Sequence, residues 1–376
     1  MGQVWDPGSK FEIIRNRMST KIGILTLHRA LNYGAVWQCW ALKKACESLG
    51  YKVETIDYNP YGHYTVGGTL RHNPSVVYRQ LLFMYQFNRF VKDRLNPTTH
   101  TESHDWIKMN PPQDDVYVVG SDTVWANAVA GDHLDSYLLD FAPQNVRRIS
   151  YAASTGGNPM ELNEFQLGEL LKFSAISIRE KQAVADVQAK VDVKVTDVCD
   201  PTLLLTWDDY NAMEKKPFWL PKHYIAYFDL AGDPFCAECA KQMSRELNLP
   251  ILNLAGKYRR WARYNYMAPT PEQWLHILHQ ADYVCTNSFH GVAFSIIYRR
   301  PFICCAAQVG GRAKTNGRVQ NLLEQTNLID RYTTSIEQVE AKVNSDMKFD
   351  DEAIGTYRNR SLQWLKNAIE NETNKE

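Results

Sequence analysis

Residues Ala281 to Tyr298 read as an apolar strand, a tight polar turn holding Asn287, Ser288, Phe289, His290 and Gly291, and then an apolar helix. The first backbone N–H groups of a helix lack intrahelical partners and carry partial positive charge, so such a turn can hold an anion beside an imidazole. That is the layout of an anion-handling active site. The same residues admit a plainer account, in which Asn287 or Ser288 caps the helix, Gly291 allows close backbone approach and His290 satisfies a local hydrogen bond.

Other polar turns follow apolar runs. His28 to Gly34 follows the first, Gly120 to Trp125 follows Asp115 to Val119, and Ala152 to Gly157 ends a third. Glycine-bearing turns admit close approach to phosphate, but the chain has neither GxGxxG nor GxxxxGK[ST], so a held dinucleotide or Walker-type ATP site is not expected. Metal is not implied either. Cys236 and Cys239 form one CxxC without a second pair or histidines at knuckle spacing, and His276 and His279 lie three apart on a helix that reads as facing water. The eight cysteines are scattered, several in apolar runs, as suits small buried hydrophobes.

The elements that position these turns come from apolar periodicity. Lys21–Leu27, Lys52–Tyr58, Asp115–Val119, Arg148–Ala153, Ala175–Arg179 and Val193–Val198 read as strands, with a helix over Ala35–Leu49. A second series, Tyr224–Leu230, Ile251–Leu254, Tyr283–Thr286 and Pro301–Cys305, alternates with helices over Phe235–Leu247, Pro271–Gln280 and Val292–Tyr298. Strands alternating with helices predict an α/β fold of two Rossmann-like domains. The expected division is an N-terminal extension over 1–20, a first domain over 21–206, a second over 222–345, and a helix within 346–376 that packs back on the first domain.

A chain of 376 residues exceeds one ordinary core. Lys plus Arg and Asp plus Glu each total 42, and that balance argues against nucleic acid as a partner. Lys10, Arg15, Arg17 and Lys21 interrupt the N-terminal apolar character and no stretch approaches a membrane span, so the expected place is the cytoplasm, with at most peripheral contact at the inner membrane face.

Seven segments in order now carry a resemblance. They are Gly23–Thr26 with Asn32–Gln38, Val119–Asp122 with Trp125, Ser150–Ser154, Ser177–Lys181, Asp200–Leu204, and Asn287–Gly291 with Phe294-Ser295. Together the chain resembles the polysaccharide pyruvyltransferase family, whose members move a pyruvyl group from phosphoenolpyruvate onto sugar hydroxyls as a ketal. The resemblance implies a GT-B-like arrangement with the active site in an interdomain cleft, and phosphoenolpyruvate as donor substrate rather than a cofactor.

On that resemblance His290 is the candidate acid-base residue, although the helix terminus that welcomes phosphate disfavours an imidazolium. Arg179 is the candidate grip on the donor, with Asn287, Ser288 and Phe289 beside it; its plainer role is an ion pair with Glu180 or another surface acid. Some relatives carry a second arginine where this chain has Ser288, so Arg312 and Lys314, near Arg318 in a glycine-bearing run, are candidates for the missing charge. Asp122 is a candidate base, or a helix cap. Trp125 beside it suits a pyranose ring, and Asn32, Tyr33 and Gln38 would line the acceptor wall, with Tyr33 alternatively packed in the core.

The acceptor expected is a sugar of galactose or mannose type, lipid-linked in the fullest form of the reading. Tyr61–His72 and the basic amphipathic stretch Ser75–Leu95 could meet it, as could the alternating cations and aromatics of Lys257–Tyr266. The alternatives are a GT-B glycosyltransferase using a nucleotide sugar and a non-catalytic glycan-binding protein.

Overall fold

The structure is a computed structural model; it describes residues 19–62, 74–229, 232–308 and 316–371. Arg312 and Lys314, and all but the first two residues of Tyr61–His72, lie outside the described residues.

Strands β1 (Lys21–Leu25), β2 (Lys52–Thr55), β3 (Val116–Val119), β4 (Arg147–Ala153), β5 (Ala175–Ile178) and β6 (Val195–Asp197) form a parallel sheet in the order β2-β1-β3-β4-β5-β6. Strands β7 (Ile225–Phe228), β8 (Ile251–Asn253), β9 (Tyr264–Asn265), β10 (Tyr283–Thr286), β11 (Phe302–Cys305) and β12 (Tyr332–Thr333) form a second, in the order β12-β11-β10-β7-β8-β9. Strand order reverses beside β1 and β3 in one sheet and beside β7 and β10 in the other. Ligands of open parallel sheets sit beyond the carboxyl ends of strands at such reversals. The turns after β1, β3 and β10 are therefore the places where binding groups collect.

Seven helices carry the remaining argument: α1 (Tyr33–Ser48), α2 (Pro74–Arg94), α3 (Pro234–Leu247), α4 (Pro271–His279), α5 (Phe289–Ile297), α6 (Asn316–Gln325) and α7 (Asp351–Glu370). Helix α1 buries Val36, Trp37, Cys39, Trp40, Ala41 and Leu42 together, so it is apolar on nearly every side. A helix of that kind must be covered all round. Its cover comes from both halves of the chain: the Tyr33 ring stacks on Trp274 of α4 at 5.1 Å, its hydroxyl donates to Pro269 O at 2.9 Å, and Trp37 Nε1 donates to Pro271 O at 3.2 Å. One hydrophobic core consequently runs through Ile22 and Trp37 into Trp274 and Phe294.

The last helix, α7, lies against elements of the first sheet. Ser361 Oγ accepts from Cys199 N, Arg358 Nε donates to Leu203 O at 2.8 Å, and Tyr51 donates to Glu370 at 3.1 Å. Helix α2 buries Phe87, Phe90 and Val91 and leaves Tyr78, Leu81 and Tyr85 exposed. No helix among the described residues is long and apolar enough to cross a membrane.

Candidate active site

Strand β10 ends at Thr286, and its hydroxyl begins the construction of the site. Thr286 Oγ1 donates to Phe228 O at 2.6 Å and accepts from Ser288 N at 3.0 Å, which turns the chain sharply off the sheet. Ser288 is the N-cap of α5, its Oγ accepting from Gly291 N at 3.4 Å. A Cβ on Gly291 would lie 2.4 Å from Thr286 Oγ1, so only glycine lets α5 start this close to the strand. Asn287 Nδ2 donates to Asp229 Oδ1 at 2.9 Å. These bonds fix His290 in the first turn of α5, where free N–H groups gather.

Opposite stands Asp200, at the start of a short 3-10 turn over Pro201–Leu204. Its Oδ1 accepts from Thr202 N at 3.0 Å and Thr202 Oγ1 at 2.8 Å; its Oδ2 accepts from Arg179 Nη1 at 2.8 Å and Ser121 Oγ at 3.3 Å. His290 Nε2 lies 3.6 Å from the same Oδ2. Burial alone would push this carboxyl up, yet His290, Arg179 and the Thr202 amide hold it below the usual carboxylate range. Asp200 is an anion at neutral pH, held with no exposed surface on its side chain.

Arg179 follows β5 directly. Its guanidinium stacks on the Phe289 ring at 4.7 Å, and Nη2 stands 3.7 Å from Asp122 Oδ1. The ion pair expected with Glu180 or a surface acid is made with the buried Asp200, 21 positions along the chain, because the turns after β5 and β6 meet here. Arg179 Nη1 is thus committed within the protein, while Nε has no protein partner among the described residues.

Buried polar atoms in native folds are nearly always paired, so unpaired ones that cluster require a cause. Among the described residues Arg179 Nε, Glu180 Oε2, Asn287 Oδ1, His290 Nε2, Asn321 Oδ1 and Thr155 Oγ1 are buried without a hydrogen bond. They come from both halves of the chain and surround the seam at which Asn321 Nδ2 donates to Arg179 O at 3.3 Å. A cavity of about 210 Å³ lies beside Glu180, lined by Thr155, Gly157, Glu180, Gln182, Asp186 and Arg318 among others, while Arg179, Asn287, His290 and Asn321 are not part of its lining. Arg318 Nε lies 3.9 Å from Glu180 Oε1.

Asp122 sits after β3 with φ of 70°, its Oδ1 accepting from Thr123 N at 2.9 Å, and its side chain is partly exposed. It reaches the cluster through Arg179. Trp125 does not: it is fully buried, with Nε1 donating to Tyr137 O at 3.0 Å and its ring against Phe173, so it offers no face to a sugar. A large apolar ring just past a buried strand gains more from the core than from the cleft. Tyr33 and Gln38 are likewise inside. Tyr33 packs among Phe83, Phe87 and Trp274, and Gln38 ties Thr26 Oγ1 at 2.8 Å to Ser121 N at 3.1 Å. Asn32 is the N-cap of α1, accepting from Gly34 N at 2.8 Å. Gln38 and Asn32 therefore set the backbone around the site rather than line an acceptor wall.

A second cavity, about 320 Å³, lies beyond β1 and β2 and is lined by Thr26, Arg29, Tyr58, Asn59, Tyr61 and Tyr137 among others. Sequence reading reached it only through Tyr61, the first residue of the acceptor segment Tyr61–His72, because Tyr58 and Tyr137 lie far apart in the chain. Asp200, Ser121 and Gly34 were likewise missed as working residues. Asp200 had one local signal, a carboxylate directly before proline, which is the mark of a cap.

In the segment Lys257–Tyr266, Asn265 Oδ1 accepts from Arg259 N and Asn253 Nδ2, and Trp261 packs edge-on against Tyr227. That loop is held by its own bonds. His276 and His279 do not face water alone; their Nδ1 atoms lie 3.0 and 2.8 Å from the two oxygens of Glu214.

Two parallel sheets with their reversal points facing one seam, and an imidazole, a carboxylate and a guanidinium converging there, define an α/β protein of GT-B type. The model of the polysaccharide pyruvyl transferase family matches residues 32–308, and the chain belongs to that family. No curated protein sequence matches it. Among solved structures it is similar to MnaA of S. aureus with UDP, at 11% identity and a TM-score of 0.51, over 93% of this chain and 96% of that one. It is also similar to the Methanocaldococcus jannaschii UDP-GlcNAc 2-epimerase in complex with UDP-GlcNAc and UDP, at 12% identity and a TM-score of 0.50, over 92% and 99%. At such identities the likeness is one of fold.

Proposed function

We propose that the protein transfers the pyruvyl group of phosphoenolpyruvate to two hydroxyls of one sugar, releasing phosphate and leaving a cyclic ketal. The observation that carries the reading is His290 Nε2, buried and unpaired at the start of α5, beside an ionised Asp200 and a guanidinium. The donor brings a carboxylate, a phosphate and an electron-rich methylene carbon. His290 gives a proton to that carbon as a sugar hydroxyl adds to its neighbour; phosphate departs, and the second hydroxyl closes the ring. The two hydroxyl protons leave by way of a base and the departing phosphate. Asp122, partly exposed and 3.7 Å from Arg179, takes the first.

Asp200 orients the imidazole and balances it once charged. The N-terminus of α5 and Arg179 face the donor anion, and Arg318, Arg312 and Lys314 supply further charge. The cavity beyond β1 and β2 suits the acceptor, since the exposed ring of Tyr61 offers a face to a pyranose and Asn59 and Arg29 bring polar groups to the same lining. The acceptor is a galactose- or mannose-type sugar carried on a lipid. Location in the cytoplasm with peripheral contact at the membrane belongs to the same reading.

Incubation with phosphoenolpyruvate and a panel of lipid-linked or aryl galactosides and mannosides tests it. Acceptor-dependent phosphate release with a product heavier by one pyruvate ketal is expected. The second reading, glycosyl transfer from a nucleotide sugar, is favoured by one observation: two solved structures of the same fold are complexes with UDP. Binding of UDP without any binding of phosphoenolpyruvate would select it.

A further inference from the structure

Four of the eight cysteines converge on the face of the second sheet away from His290. Cys285 on β10 and Cys305 at the end of β11 point there, while their neighbours Val284 and Cys304 face the core that holds α5. Cys236 and Cys239 occupy successive turns of α3 and project toward the same spot. All four are buried and none is in a disulfide. The sulfurs of Cys236, Cys285 and Cys305 lie within 4.8 Å of one another, and Cys285 and Cys305 are 3.8 Å apart. Cys239 interacts with Cys305 from the next helical turn.

Zinc held tetrahedrally by thiolates at about 2.3 Å places its sulfurs about 3.8 Å apart, the separation of Cys285 and Cys305; the trio closes within 4.8 Å. Cys236 is the third residue of α3, in the first turn after the Asp233 cap. The sequence conceals the set because the second pair comes from two neighbouring strands rather than from a second CxxC.

We propose that Cys236, Cys239, Cys285 and Cys305 form a structural zinc site that ties α3 to β10 and β11. The site is sealed from solvent, so the ion enters as this half of the chain folds and contributes to its stability. It lies across the sheet from the reacting groups, and its presence is independent of which donor the cleft accepts.

The test is metal analysis of the purified full-length protein, followed by cobalt substitution during refolding. About one zinc per chain is expected, together with a thiolate-to-cobalt charge-transfer band and the visible bands of a tetrahedral ion. Cys239→Ser, which alters the thiol outside the tight trio, should weaken metal retention at least tenfold with the far-ultraviolet circular dichroism unchanged. A mercurial reagent should release zinc as the thiols react. A folded protein without zinc that refolds in excess metal with no thiolate-cobalt band would overturn the proposal. So would metal that persists undiminished in the Cys285→Ala/Cys305→Ala protein.

Discussion

A side chain on Gly34 would collide with His290. A Cβ built there lies 2.0 Å from Nδ1 and 2.3 Å from Cγ, so the first turn of α1 is the floor on which the imidazole rests. The residue that fixes His290 from below therefore comes from the other half of the chain, and His290 holds its place only while both halves are docked. Gly34→Ala should displace the ring and cost about 1–3 kcal/mol of stability by overpacking. Turnover should fall far more than that loss explains, and thermal melting alongside phosphate-release rates separates the two effects.

Asp200 is charged, buried and paired with Arg179 at 2.8 Å. Asp200→Asn removes the nearest counter-charge of that guanidinium, leaving Asp122 at 3.7 Å, and should cost up to about 3–5 kcal/mol in urea unfolding at neutral pH. The pH dependence has a definite sign. Because the folded-state pKa is depressed, the contribution of Asp200 is fully present above the unfolded carboxylate value, roughly 4, and is lost as pH falls below it. The gap between wild type and variant should accordingly narrow in acid; a gap that widened there would refute the assignment of charge.

Asp114 behaves oppositely. Burial first, and then Glu54, push its carboxyl up to about 6 in spite of Lys21 at 3.3 Å, and neither of its oxygens accepts a hydrogen bond. Below about pH 4 both folded and unfolded chains hold the proton, and the group costs nothing. Between about 4 and 6 the unfolded chain loses it first, so wild-type stability is eroded as pH rises. Asp114→Asn should match the wild type near pH 4 and become the more stable protein by pH 7. Urea midpoints at a series of pH values would show it, and equal midpoints throughout would not fit.

Much of the fold was legible because buried parallel strands are short apolar runs and their helices repeat near every fourth residue. Strands β9 and β12 were not, since each is two residues at a sheet edge and carries no apolar run. The corner at His290 was visible from one local segment. Its partner Asp200 was not, because the contact joins the turn after β6 to that after β10, and nothing local to Asp200 distinguishes a catalytic partner from a cap. Trp125 shows the converse failure: an aromatic residue beside a polar turn looks like a sugar platform, and only the packing of Phe173 and Tyr137 reveals it as core. Arg179 was identifiable as a charged residue at a strand end, but its ion-pair partner was a matter of topology.

The central claim is that His290 protonates the donor, and phosphate release from phosphoenolpyruvate by wild type and His290→Gln, with and without a sugar acceptor, tests it most directly. Glutamine keeps a hydrogen-bonding group near Asp200 but cannot deliver the proton, so the account predicts acceptor-dependent release in the wild type and a loss of about 10²–10⁴-fold in the variant, with donor affinity largely retained. Equal rates in the two proteins would contradict it.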